Sequence, residues 1–334
     1  MKRFLAMLLA CILTIGALAV PAMADETSDE SGNTDSGDII DIGDIDLTDV
    51  TNGEYATIAE GDWRVVMGAN LTDEQRAQVF GVFGITDFED SDRFLTVSND
   101  EERKYFGGKL PDSQIGTRSI SCIYIKGLKK GKGLDVKTYN IDYCTVDMYT
   151  NVLNTIGITD AMVIVAAPTP VSGTAALTGV YKAYESLTGQ TLSEYLKNAG
   201  IEELITTGQL AELIGSDDAT AIITELKLIL DETKDMSDEE VEQKIREIAD
   251  EYGVAFTDNQ IKQIRILSRT LEGLDVEQIR DRVLSLAKAT TTWGKFAQTV
   301  SNAIESIGNF FRDVAEFFSN LFNKWFKMSF NQSF

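Results

Sequence analysis

The chain has 334 residues, 30 basic and 53 acidic, a formal net charge of −23 and no histidine. The acid excess excludes nucleic-acid binding, which rests on neutralising phosphates with Lys and Arg. The missing histidine excludes Ser-His-Asp and Cys-His catalysis.

Residues 1–24 begin "MKRFLAMLLACILTIGALAVPAMA". Lys2 and Arg3, the apolar run from Phe4 to Val20 and the small Ala22 and Ala24 have the layout of a secretory signal peptide. Cleavage is expected after Ala24, which removes Cys11 and takes the net charge to −25. Residues 25–60 then read as a solvated acidic tether, with thirteen acids and no Lys or Arg between Asp25 and Asp62. "DIIDIGDIDLTDV" lacks the glycine and terminal glutamate spacing of an EF-hand loop, so no calcium site is assigned.

An α+β domain is expected over 61–190, with a small mixed sheet, a long hairpin and packed helices. "WRVVMGA" is its first strand. A helix follows in "LTDEQRAQVFGVFG", with Thr72 and Gln75 as a capping box and Val79, Val82 and Phe83 as its apolar stripe. "RFLTVS" is the next strand. The plan recurs later, where Thr145 opens "VDMYTNVLNTIG" and "AMVIVAAP" is the strand, so "FGITDF" and "IGITDA" occupy equivalent helix ends with Gly84 and Gly157 left-handed. Between the two units, "TRSISCIYIK" and "LDVKTYNIDYC" flank the lysine-rich turn "GLKKGKG" and read as the hairpin.

Cys122 and Cys144 lie one in each of those runs. An exported chain accommodates either a disulfide between them or two buried thiols, although their mean position falls slightly past the turn centre. Two widely spaced cysteines without histidine leave a zinc site half unfilled, so no metal is expected, nor any cofactor.

The uncharged stretch from Met162 to Tyr181 is too broken by Pro168, Pro170, Gly173 and Gly179 to span a membrane. Its simplest reading ends a buried strand at the prolines and lets Ser172 cap a helix whose small residues lie close on the sheet. The competing reading is a ligand site, in which Ser172, Gly173 and Thr174 offer helix-start N–H groups and Arg118 supplies positive charge. Neither the phosphate-loop nor the serine-nucleophile spacing is present.

A helical region is expected over 191–289. Thr191 with Glu194, Ser237 with Glu240, Thr257 with Gln260 and Asp275 with Gln278 open its helices, and Gly200, Gly215, Gly253 and Gly273 break them. Residues 290–334 carry an aromatic stripe that includes Trp293, Phe296, Phe310, Phe311, Phe317, Phe318, Phe322 and Trp325. Its alternating spacing of four and three describes one amphipathic helix from 293 to 327, about 50 Å long at 1.5 Å per residue. Such a helix fits a membrane surface, a protein partner or the protein's own core, and also a pore-forming role.

"LTDEQ", "NDEERKYFGG", "QIGTRSISCIYI", "GLDVKTYNI" and "VIVAAPTPVSGTAALTGVYKAYE", in that order, resemble the domain of unknown function 1002 family, exported proteins of Gram-positive bacteria. The resemblance covers roughly residues 60–285. It implies an extracytoplasmic, cell-envelope protein and supplies no catalytic residues. The leading expectation is therefore a non-enzymatic binding or interaction module. The alternative is a ligand binder or enzyme acting on wall or phosphate-containing material through the Pro168 to Thr174 loop. No oligomeric state is implied.

Overall fold

The computed structural model describes residues 55–86 and 91–289. The leader, nearly all of the acidic tether and the aromatic stripe from Trp293 to Trp325 lie outside the described residues.

The chain runs β1 (Trp63–Gly68), α1 (Asp73–Phe83), β2 (Phe94–Val97), α2 (Asn99–Phe106), α3 (Asp112–Ile115), β3 (Cys122–Gly127), β4 (Leu134–Ile141), α4 (Val146–Thr155), β5 (Ala161–Val171) and α5 (Thr174–Thr188). Helices follow: α6 (Glu194–Ile214), α7 (Ser216–Leu228), α8 (Leu230–Thr233), α9 (Asp238–Glu251), α10 (Asp258–Glu272) and α11 (Val276–Ala289). The fold is α+β, with one five-stranded mixed sheet in the order β2-β1-β3-β5-β4.

Two strand–helix–strand units end the sheet. β1 pairs parallel with β2 and β4 parallel with β5, each pair joined through a helix, as a parallel connection requires. Both helix ends turn on a left-handed glycine, Gly84 at φ 69° and Gly157 at φ 88°, as the repeated "GITD" predicts.

The expected hairpin does not form. β5 inserts between β3 and β4, antiparallel to the first and parallel to the second. Burial explains the order. Val163 to Ala167 of β5 are all buried, which suits an interior strand, whereas β4 alternates and turns Asp135, Lys137 and Tyr139 to solvent, which suits an edge. The 128–133 loop therefore crosses two strand spacings, about 10 Å, over the end of β5.

The alternation of the strands sorts the core onto two faces. Val65, Met67, Cys122, Tyr124, Ile164 and Ala166 meet Val79, Phe80 and Phe83 of α1. Val82, expected in that stripe, is 39 % exposed, and Phe80 takes its place. The opposite face, with Val66, Ile123, Ile125, Val163 and Val165, continues without a break through α4 and α5 into α6, α10 and α11. The strands and the later helices thus share one core.

Local signals in the helices and in β5 are mostly met, with three corrections. Thr72, Thr145, Ser237 and Thr257 cap as expected, and the Gln278 N–H donates to Asp275. Thr191 does not cap. Leu192 is buried with its N–H on Glu185, so α6 starts later and Ser193 accepts from Leu196. Gly200 does not break a helix but sits inside α6, where an added Cβ would come within 2.9 Å of the Tyr181 hydroxyl and 3.1 Å of Val152. The buried part of β5 ends before Pro168, yet pairing resumes at Ile141 with Val171, past an irregularity at Asn140.

Candidate functional site

The loop after β5 delivers Ser172, Gly173 and Thr174 to the start of α5. Gly173, at φ 94°, is the N-cap, so Ser172 does not cap the helix. A Cβ on Gly173 would meet Ile141 and the Tyr149 hydroxyl at 2.8 Å, and that hydroxyl donates to the Gly173 carbonyl at 2.6 Å. The acceptors for this helix start come from within the protein. Glu102, from α2, accepts from the Thr174 hydroxyl at 2.5 Å and from Asn99 at 3.0 Å. It also takes a bond from the Ala175 backbone, while the Ala176 N–H donates to the Ser121 hydroxyl. Ser172 and Thr174 share a hydroxyl–hydroxyl bond of 3.0 Å. A buried carboxylate thus stands where an anionic ligand would, and it suits the positive end of the helix dipole. Burial pushes the Glu102 carboxyl above its usual range, against the pull of Thr174, Asn99, Arg103 and Ala175.

Arg118 is exposed and donates to the Asn70 carbonyl at 2.7 Å. The structure therefore groups Ser172, Gly173 and Thr174 with Glu102 and gives Arg118 a different partner. The cysteines are both free and buried. Cys122 faces α1 and Cys144 packs in the core on the other side of the sheet, which separates them. Burial raises the Cys122 thiol to about 12 and the Cys144 thiol further.

A second polar cluster lies deep between α4, α6 and α7. Lys227 and Glu203 are both fully buried and pair at 2.9 Å. Lys227 also donates to the Asn151 carbonyl, and Thr155 donates to the second Glu203 oxygen at 2.5 Å. Burial lowers the Lys227 pKa, and Glu203 opposes that shift. No part of this pair reaches solvent, and its bonds join α4, α6 and α7.

An open concavity lies at the end of the sheet. It has a volume of about 370 Å³ and lies among the β3–β4 loop, the turn from α4 into β5, α11 and Tyr55. Arg282, on α11, donates to the Asn154 carbonyl at 2.8 Å and the Thr155 carbonyl at 3.1 Å, which satisfies the end of α4. Its guanidinium lies 5.1 Å from the Tyr55 ring centre. Burial lowers its pKa, and Tyr55, Asp275 and Tyr184 oppose that. Tyr55 packs on Gly157, where an added Cβ would come within 2.6 Å of the ring. Asp160 accepts from the Gly133 N–H at 2.8 Å and so fixes the lysine-rich loop. Asn154 lines the same space, is 1 % exposed, and its Oδ1 has no hydrogen-bond partner among the described residues.

The sequence reading missed this cavity. Its walls come from four separated stretches, and Arg282 looks like one more charge on an amphipathic helix. The available signal was the second "GITD", whose Asp160 and Gly157 both contribute to it.

Among curated proteins, the chain is 35 % identical over 271 residues to the "Uncharacterized protein YpuA" of Bacillus subtilis (strain 168), across 80 % of this chain and 90 % of that protein. No solved structure matches. Residues 67–288, most of the fold described above, match the family model "Protein of unknown function (DUF1002)", and the chain belongs to that family.

Proposed function

We propose that the protein is an exported, non-enzymatic binding module of the cell envelope. In this reading residues 290–334 hold it at a membrane surface, and the cavity beside Arg282 is its ligand-facing surface. The observation that carries it is that Tyr55 and Leu286, from the two ends of the described chain, line one cavity. Tyr55 lies in the last part of the acidic tether, and Trp293 follows Leu286 by seven positions. Attachment through the segment after α11 would thus tie the fold down near its concave end. The inner reactive groups support the same reading, because Glu102, Lys227, Glu203 and both thiols are buried within the fold, and the two charged clusters are bonded internally.

Cell fractionation tests it. The full chain is expected in the envelope fraction and a chain ending at Ala289 in the medium, still folded. Recovery of both forms in the medium would overturn the anchoring role.

A further inference from the structure

The charged groups of the cavity are already committed to the fold. Arg282 is spent on the end of α4 and on Gln278, and Asp160 holds the Gly133 N–H. Lys130 and Asp281, both exposed, balance in sign, so the walls carry two cations and two carboxylates. A phosphate or other strong anion would find no net positive charge here, on a chain that is itself strongly acidic.

Of the neutral groups, Gln278 is held by Asp275 and Arg282, whereas others are not committed. The Asn154 side-chain oxygen has no hydrogen-bond partner within the described residues although the residue is almost fully buried, and a buried amide oxygen left unpaired is costly. Thr57, Thr159 and Ser285, each with a hydroxyl, line the same space. An amide and three hydroxyls can each donate and accept, which matches a ligand whose own groups are hydroxyls. The volume lies near the lower end of the roughly 300–1,000 Å³ typical of small-molecule sites, which suits a monosaccharide or disaccharide and not a longer chain in full.

We infer that the cavity between the β3–β4 loop and α11 binds a neutral saccharide unit, with the Asn154 amide and the Thr57, Thr159 and Ser285 hydroxyls as its hydrogen-bonding groups. This rests on the cavity being the ligand surface proposed above.

The test titrates the chain from Asp25 to Phe334 with N-acetylglucosamine, its β-1,4 disaccharide, glucose and maltose, with sodium phosphate in parallel, by calorimetry and ligand-observed NMR. Saturable binding of at least one sugar is expected. Asn154→Ala should weaken it about tenfold, the effect of roughly one good hydrogen bond. Ser285→Trp, at an exposed position of α11, should block it while the thermal midpoint stays near that of the parent chain. Absence of sugar binding, or sugar binding unchanged in both variants, overturns the inference. Phosphate binding in place of sugar, lost in Ser285→Trp, overturns the saccharide and leaves the cavity as a binding surface. If no probe binds while envelope attachment persists, the ligand surface fails and the anchoring segment stands.

Discussion

Lys227 and Glu203 satisfy one another in a place where neither charge has access to water. Lys227→Met alone would leave the Glu203 carboxylate buried without its cation, and a loss of about 3–5 kcal/mol is expected. Replacing both, with Lys227→Met and Glu203→Leu, should recover most of that loss in urea denaturation; a double variant as weak as the single one would show that the pair itself stabilises the fold. Glu102 gives a pH prediction. Burial raises its folded pKa above the ordinary carboxyl value of 4.5. The fold therefore binds the proton more tightly than the unfolded chain does, and this contribution to stability is full below 4.5 and lost as pH rises through the higher folded value. Carbon-13 NMR of the Glu102 carboxyl should give a midpoint above 4.5, and a midpoint below it would contradict the burial argument. The thiols make a third case. With Cys122 raised to about 12 and both side chains buried, neither should react with a thiol-specific disulfide reagent at pH 8 until the chain is unfolded, when both should. Unfolded protein that yields no thiols before reduction would indicate a disulfide instead.

At the scale of elements, what could be read from the sequence divides by range. Capping boxes at Thr72, Ser237 and Thr257 were legible because each is settled within four residues. Thr191 misled because the burial of Leu192, with its N–H on the distant Glu185, decides where α6 begins. Strand pairing was the least legible. β3 and β4 adjoin in sequence across a turn-rich loop, and nothing local says that a later strand will separate them; the apolar run Val163 to Ala167 was the one clue to an interior position. Glycine in α6 shows the same competition. Gly200→Ala should gain about 1 kcal/mol of helix propensity but press a methyl group against Tyr181, whose hydroxyl is held by the Lys197 carbonyl. Overpacking of this kind costs about 1–3 kcal/mol, so a net loss is expected in denaturant titration, and a net gain would mean that Tyr181 can move aside. The candidate site followed suit: Ser172 to Thr174 were found as a loop, but their buried partner Glu102, some seventy residues earlier, could not be.

For the whole molecule, one core joins the sheet to the helices up to Leu286. A chain ending at Ala289 retains every element of that core and should unfold cooperatively, in a single transition. Among the described residues no helix is long and apolar enough to cross a membrane, and the attachment proposed above is assigned to the aromatic segment on its sequence pattern alone. Co-sedimentation of the chain from Asp25 to Phe334 with neutral and anionic liposomes, beside the same chain ending at Ala289, tests that claim most directly. The account predicts that the longer chain pellets with lipid and the shorter one stays in solution; failure of both to pellet, or equal pelleting of the two, would contradict it.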